Sequence, residues 1–467
     1  MKKKNSKLWA LLLVTALSFS MVGCGKKETG AGNPKDSNEG NGSQNEVTQA
    51  ESKKDPVEIT FSIMNSASEV PGWTAMAEAA NKKLAAEGSN VTIKVVKEAA
   101  ADWPEYYQKI ITQMAAGKAP DIARIANSYM PTVIGKGQAV DITQYVERDL
   151  NMEDYFEESL KGSNYKDGKY FGLPSGIYYM LMFYNKNLFD TAGLPYPSSD
   201  WNNSIKFDEV TSVAKQLTTG EGATKQFGFS AGPYMVYMGM YSMSNGGVNV
   251  FNSDGSCALN SPATKEVYAW FDNMLRVDGS MPKPTDTKIM GAWDMFKAGR
   301  IGMIVEGAWY LADVKNNIKD FNVGIAAAPS GDGKAYSSMF VDDFFICKGT
   351  KHEAEAWEAL KALYSEEAWS ALAASSVGGL PIHKKVLEAN IGQLLGEKAT
   401  EDDIQCFISG LDHVLQVPYN DYYEQADQAI NNTMDEWLLG DISSDQFAEK
   451  AAKLVEEQAA KAAATKK

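Results

Sequence analysis

GKYFGLPSGIYYMLMFYNKNLFDTAGL, residues 168–194, is the stretch that decides the fold. A short strand is predicted at Tyr170–Leu173, and Pro174 should stop it because proline cannot donate a hydrogen bond to a sheet ladder. Ser175-Gly176 then forms a flexible joint, and a long aromatic strand is predicted at Ile177–Tyr184. Two strands on either side of a joint predict that the chain crosses here between two lobes around a ligand.

The composition limits what the chain can do. Its 467 residues are enough for two or three domains, and its hydrophobic content of 44% is typical of a globular protein. The formal net charge is -15, and such a charge would repel a phosphate backbone. We therefore expect no nucleic-acid partner.

The N-terminus is a predicted targeting segment. Lysines within residues 2–7 precede a short apolar run at residues 8–20, which is the arrangement of a secretory signal peptide. The run is short for a transmembrane helix. Met21–Cys24 resembles the lipobox of bacterial lipoproteins, which implies a signal peptide of residues 1–23 and a lipid on Cys24. An ordinary signal peptide with an incidental cysteine is the alternative.

A polar tether is predicted at residues 24–55. It is rich in Gly, Asn, Ser, Lys and Glu and has almost no large apolar residue, so it should be disordered. A flexible coil of this length reaches roughly 30 Å. That reach suits a globule held at a membrane by its lipid, as on the surface of a Gram-positive cell.

Strand and helix patterns alternate after this tether. Period-two alternation predicts a strand at 57–63, and a helix at 71–86, a strand at 91–96, a helix at 104–117 and a short strand at 119–123 follow. This order predicts an α/β fold with parallel strands.

Four segments carry a more specific signal. They are Tyr107–Ile122, which ends in AAGKAPDI; Gly168–Leu194; Phe296–Trp309, with FKAGRIGM and GAW; and Ala326–Gly331. Together and in this order they resemble the family 1 extracellular solute-binding proteins of ABC importers, the maltose-binding-like group that mostly carries oligosaccharides.

The resemblance implies the two-lobe periplasmic-binding-protein type II fold, with hinge strands between the lobes. Such lobes close over a ligand by hinge bending. Hinges are expected near Pro174, Pro329 and Gly379. The expected boundaries are 56–175 and 329–377 for the N-lobe, 176–328 and 378–460 for the C-lobe, and 461–467 for a frayed tail.

The resemblance and the chemistry of sugars together predict the binding residues. Sugars present apolar faces and hydroxyl groups, so their sites combine aromatic rings with polar side chains that pair donors and acceptors. In this fold the ligand lies off the C-terminal ends of strands. The candidates are Asn65, Asn127, Ser128, Tyr178, Tyr234, Glu306, Trp309, Asp342, Asp343 and Tyr423.

Trp309 is the strongest candidate, because the family's G-x-W tryptophan stacks on sugar rings in relatives. A buried structural tryptophan is the alternative, whereas Trp293 is predicted to pack within its helix. Strand alternation puts one of Tyr178 and Tyr179 in the core, and we expect Tyr178 in the cleft.

The other candidates also have alternatives. Asn127 and Ser128 could cap a turn, and Tyr237 could replace Tyr234 or both could pack in the core. Asp342-Asp343 departs from the Gly-rich pattern of the family and could instead be a solvated surface pair.

Enzyme motifs are absent from the sequence. It has no G-x-S-x-G, no phosphate loop and no H-E-x-x-H, and we predict neither a cofactor nor a metal. The three histidines, His352, His383 and His413, are predicted at the surface. Three cysteines lack metal or redox spacing and are predicted as buried apolar residues, with one disulfide left open: Cys257, Cys347 and Cys406.

These features predict a monomeric, lipid-anchored binding protein that delivers a carbohydrate to an ABC permease powered by a cytoplasmic ATPase. A binding protein for a glycerophosphodiester or a polyamine is one alternative. A secreted glycan-degrading enzyme is another, since a pair of catalytic carboxylates is compatible with so many acidic residues.

Overall fold

A computed structural model describes residues 55–66, 69–166, 168–375 and 380–465. Strands within these residues are β1 (Val57–Met64), β2 (Val91–Glu98), β3 (Ile122–Ala126), β4 (Asn164–Lys166), β5 (Lys169–Tyr170), β6 (Leu173–Asn185), β7 (Phe227–Ser230), β8 (Ile301–Gly307), β9 (Val323–Ala326), β10 (Ser337–Ile346) and β11 (Val414–Gln416).

Helices in the same parts of the chain are α1 (Val70–Ala86), α2 (Trp103–Ala115), α3 (Met130–Gly135), α4 (Thr143–Asp149), α5 (Glu157–Ser163), α6 (Lys186–Ala192), α7 (Phe207–Leu217), α8 (Met235–Met243), α9 (Pro262–Asp272), α10 (Pro284–Thr287), α11 (Ala292–Lys297), α12 (Leu311–Asn317), α13 (Glu353–Leu363), α14 (Glu366–Ala374), α15 (Lys384–Leu395), α16 (Glu401–Gly410), α17 (Tyr423–Leu439) and α18 (Ser444–Thr465). Short 3-10 turns at Asn127–Tyr129 and Ala308–Tyr310 contain the predicted binding residues Asn127, Ser128 and Trp309.

The first strands form the predicted parallel α/β unit. β1 pairs in parallel with both β2 and β3. Ile59, Phe61 and Ile63 alternate along β1 and are fully buried. The ring of Phe61 meets Phe344 of β10 edge-on at 5.3 Å, so the apolar face of this sheet packs onto the rest of the core.

β6 connects two groups of strands. Its first half, Leu173–Tyr179, pairs antiparallel with β10, which also pairs with β3. Its second half, Met180–Asn185, pairs with β8 and β9, and β7 lies beyond β8. One continuous strand therefore crosses from one sheet region to the next, where the sequence predicted two strands on either side of a flexible joint at Ser175-Gly176.

The predicted stop at Pro174 is wrong. Pro174 lies inside β6, and the strand is buried along its whole length. The pairing with β10 shifts at this point: Asp343 is opposite Pro174 and Asp342 is opposite Gly176, which leaves Ser175 without an opposing residue. Such a bulge interrupts the ladder and lets a proline sit within a strand.

Two further crossings were expected. The chain leaves β9 at Ala326 and passes through residues 327–336 into β10. The predicted hinge at Pro329 lies within this connection. Gly379 lies outside the described residues. Leu380, which follows it, accepts a hydrogen bond from the backbone amide of Ile177 in β6 at 3.3 Å.

Other expectations have mixed outcomes. The signal peptide, Cys24 and residues 24–54 of the tether lie outside the described residues. The three downstream cysteines are free, and Cys347 and Cys406 are buried.

His413 is buried rather than at the surface, because its ring stacks on Trp201. Within the described ranges, every helix is too short or too polar to span a bilayer.

Candidate functional site

A cavity of about 840 Å³ opens beside the β6 crossing. Its walls combine aromatic rings with amides and carboxylates, and the described residues contribute no Lys, Arg or His to them. The lining residues are Glu69, Pro71, Trp103, Ala126, Asn127, Ser128, Tyr129, Tyr178, Tyr237, Trp309, Tyr310, Ala312, Asp313, Asn316, Asn317, Phe340, Asp342, Ser375 and Tyr419. We call this the aromatic cavity.

Trp309 presents its ring to the aromatic cavity from a 3-10 turn that follows β8. The turn folds the indole back over Gly307, where an added Cβ would lie 2.2 Å from the ring. Only glycine leaves room for that contact, which is the physical reason for the G-x-W spacing. The indole meets Phe340 edge-on at 5.6 Å and keeps part of its surface exposed to a ligand.

Arg124 organises the base of the aromatic cavity. It comes from β3 and is 1% exposed. Its guanidinium donates to Glu69 at 2.9 Å, to Asp342 at 2.5 Å and to the Tyr178 hydroxyl at 2.9 Å. It also donates to Ser175 at 3.0 Å, in the bulge of β6. One buried cation therefore positions three cavity side chains and the crossing strand.

The charges in this network adjust to burial. Burial raises the pKa of Asp342 to about 6, although Arg124 lowers it, and Glu69 raises it further. Burial lowers the pKa of Arg124, but Glu69, Tyr178 and Asp342 raise it by more, so the guanidinium stays charged. The guanidinium of Arg124 thus offsets part of the negative charge of Glu69 and Asp342, both of which line the cavity.

Sequence reasoning missed Arg124, although a signal was available. Ile122-Ala123-Arg124-Ile125-Ala126 is an apolar strand with one arginine in its middle. A buried arginine almost always has partners, so its presence there points to nearby carboxylates. Glu69, Trp103 and Tyr419 were missed as well, since nothing local marks them as cavity residues.

Asn127 and Ser128 also lie at the aromatic cavity. They form the 3-10 turn that directly follows β3, so they lie at the C-terminal end of that strand and line the aromatic cavity. Burial raises the pKa of Glu424 in α17, and Ser128 partly opposes this. The 3-10 turn has no side-chain cap hydrogen bond, so the capped-turn alternative is not supported.

Tyr234 and Tyr237, which both follow β7, line different cavities. Tyr234 precedes α8, a helix that the sequence did not predict, and Tyr237 lies in the first turn of that helix. That geometry brings Tyr237 to the aromatic cavity and puts Tyr234, 46% exposed, at a neighbouring cavity.

Three predicted residues lie away from both cavities. Asn65 is exposed after β1. Asp343 is fully buried and accepts a hydrogen bond from Ser163, because alternation along β10 turns it to the face opposite Asp342. Tyr423 is buried, with its ring 4.8 Å from that of Tyr419, and Tyr419 is the residue that reaches the aromatic cavity.

The neighbouring cavity has a volume of about 710 Å³ and contains Glu306. Tyr310 and Asp313 line both cavities, which makes the two spaces adjacent. Trp293 lines it too; its ring stacks on Tyr310 at 4.0 Å and its indole nitrogen donates to Asp313 at 2.6 Å. We call this space the Glu306 cavity.

Replacement of Glu306 by glutamine is expected to stabilise the protein at pH 8 by up to about 3 kcal/mol and to have no effect below about pH 4. Burial raises the pKa of Glu306 from 4.5 to about 7, and a hydrogen bond from the Gly307 amide only partly opposes this. Between those values the folded protein holds a proton that the unfolded chain releases, so stability falls as pH rises. Glutamine removes that loss.

Urea unfolding at several pH values between 4 and 8 measures this effect. Glu78→Gln, at an exposed position of α1, is the matched control and should show no such trend. A Glu306→Gln difference that is the same at both ends of the pH range would contradict the assignment.

Comparisons with known proteins give one consistent result. The model of the bacterial extracellular solute-binding proteins matches residues 66–368. A Brucella abortus protein named as a binding protein is 25% identical over 378 residues, which cover 80% of this chain and 87% of that protein. The galactooligosaccharide-binding protein of Bacillus subtilis is 22% identical over 376 residues, 78% of each chain.

A solved structure extends this result to the fold. The ABC substrate-binding protein from Listeria monocytogenes in complex with cycloalternan superposes with a TM-score of 0.76 at 21% identity, and the match covers 87% of this chain and 100% of that one. The prediction of a two-lobe α/β fold is confirmed by this match. The prediction of a binding protein rather than an enzyme is confirmed by the family and its named members. The chain belongs to the family of bacterial extracellular solute-binding proteins.

Proposed function

We propose that this protein captures a carbohydrate, most simply an oligosaccharide, in the aromatic cavity and delivers it to an ABC permease. The observation that carries the proposal is the composition of the cavity wall. Rings such as Trp309 and Tyr237 can stack on the apolar faces of sugars, and Asn127, Asn316 and Asp342 can pair with hydroxyl groups.

Two relatives support the choice of a sugar. The Bacillus subtilis relative is named for galactooligosaccharides, and the Listeria monocytogenes structure contains cycloalternan. A glycerophosphodiester is the poorer fit, since the described residues place no cation in the wall of the aromatic cavity to receive a phosphate.

The proposed lobes are 56–175 with 329–377, and 176–328 with 378–460, and the hinges lie near the β6 crossing, Pro329 and Gly379. Trp309 then belongs to one lobe, whereas Asn127 and Asp342 belong to the other. A sugar contacts both sets only when the lobes are close, so binding shifts the population toward the closed form. The permease would then recognise the closed conformation.

The anchor is proposed from the sequence alone. Cleavage after residue 23 would leave Cys24 as a lipidated first residue, and residues 24–55 would tether the lobes to the outer face of the membrane. This arrangement would keep a monomeric binding protein near its permease.

A melting-temperature screen tests the proposed function. The panel contains neutral mono- and oligosaccharides, glycerophosphocholine and spermidine, and calorimetry follows any shift. We expect at least one neutral saccharide to raise the melting temperature, since a ligand that binds only the folded state stabilises it. A shift with spermidine or glycerophosphocholine and with no saccharide would contradict the proposal. Release of a shorter product from a bound glycan would contradict the assignment as a binding protein.

A further inference from the structure

The carboxylates of the Glu306 cavity are not equivalent. Asp294 pairs with Lys297 at 2.9 Å, and Asp313 pairs with the same lysine at 3.2 Å. Asp435 pairs with Lys288 at 3.0 Å. Among the ion pairs of the described residues, none involves Glu306. Its carboxylate thus lacks the counter-charge that each neighbouring carboxylate has.

Aromatic side chains line the same cavity as this carboxylate: Tyr234, Tyr310 and Trp293. Burial and then the charge of Glu306 raise the pKa values of Tyr234, Tyr237 and Tyr310. The Tyr310 ring is itself stacked on Trp293 at 4.0 Å. The electron-rich faces of tyrosine and tryptophan attract cations, and a carboxylate among such rings is a suitable receptor for an ammonium group.

We infer that the Glu306 cavity binds a protonated amino group carried by the saccharide in the aromatic cavity, with Glu306 as its counter-charge and Tyr234, Tyr310 and Trp293 as its aromatic walls. This inference rests on the proposed function, since the amine is part of the same ligand. Tyr310 and Asp313 line both spaces, so a ligand longer than one sugar unit can extend from the first into the second.

An amine fits Glu306 better than a hydroxyl group does. A neutral sugar that filled the Glu306 cavity would remove water from the carboxylate, which must then take up a proton or keep an unbalanced charge in a low-dielectric site, and either is costly at pH 7 and above. An ammonium group supplies the missing charge and a charge-assisted hydrogen bond. The raised pKa of Glu306, about 7, agrees with a carboxyl group that has no cationic partner.

Calorimetric titration with matched ligands at pH 7 tests the inference. The probes are cellotriose, its 2-amino counterpart chitotriose, the N-acetylated trimer, galactose, galactosamine and spermidine. We expect the amino member of each pair to bind on the order of tenfold more tightly than the neutral member. That preference should weaken as salt is raised.

Two variants make the test specific. Glu306→Gln should remove the amine preference while the neutral saccharides still bind. Glu449→Gln, which removes an acid from α18 outside both cavities, should leave the preference unchanged. Equal affinities within both ligand pairs, or a preference that survives in Glu306→Gln, would overturn the inference.

The spermidine arm separates this inference from the proposed function. Binding of spermidine that depends on Glu306, with no binding of any saccharide, would overturn the sugar function and support the amine site. Binding of neutral saccharides alone would overturn the amine site and support the sugar function. A failure of saccharides and amines alike would overturn both.

Discussion

Replacement of Arg124 by methionine is expected to lower the free energy of unfolding by about 3–5 kcal/mol and to abolish ligand binding. The guanidinium is the charge partner of both Glu69 and Asp342 and is 1% exposed. Its loss leaves two carboxylates beside each other in a poorly solvated place. They must then take up protons or separate, and either change disturbs the cavity wall and the contact with Tyr178.

Urea unfolding and calorimetry measure the two effects of the Arg124 change. Arg148→Met is the matched control, because Arg148 is 63% exposed and its pairing with Asp149 is a surface contact worth at most about 1 kcal/mol. If Arg124→Met does not fold, Arg124→Lys keeps the charge but loses the forked geometry, and it should fold with weakened binding. A folded Arg124→Met protein with unchanged affinity would contradict the role assigned to this residue.

Replacement of Trp309 by alanine is expected to weaken sugar binding by about 2–4 kcal/mol, on the order of 30- to 1000-fold. The indole lines the cavity with part of its surface exposed, and its contacts with Tyr178 and Phe340 hold it in position. Trp309→Phe retains a smaller face and should lose less affinity. The fold should lose only about 1–2 kcal/mol, because the side chain is partly exposed.

Calorimetry with the tightest saccharide found in the screen measures the effect of Trp309→Ala. Trp270→Ala is the matched control, since Trp270 is also partly exposed but lies outside both cavities. It should lower the melting temperature and leave the affinity unchanged. Undiminished saccharide binding by a folded Trp309→Ala protein would contradict the proposal that Trp309 stacks on the sugar.

Local patterns were sufficient to predict much of the fold. Strand β1 and helix α2 agree with their predicted bounds to within two residues, because period-two alternation, or an apolar stripe with a proline in the first turn, needs no distant information. The turn at the G-x-W motif could also be predicted from local sequence, because the ring of Trp309 folds over Gly307 only two residues away. Pro174 failed as a strand stop because the bulge that accommodates it depends on β10, about 170 residues further along the chain.

The candidate site was harder to predict because it is assembled from distant segments. Arg124 pairs with Asp342, 218 residues away, and no local pattern contains that contact. Asp342 and Asp343 look equivalent in the sequence, and only the pairing of β10 decides which of them faces the cavity. Tyr423 was predicted at the cleft, yet Tyr419, in the loop before α17, is the residue that lines the aromatic cavity.

A crystal structure of the protein with the tightest saccharide of the screen tests the central claim most directly. We predict a pyranose ring stacked about 4 Å from the face of Trp309, with its hydroxyl groups within hydrogen-bond distance of Asn127 or Asp342. A saccharide bound outside the aromatic cavity, or one that contacts residues on only one side of the β6 crossing, would contradict it.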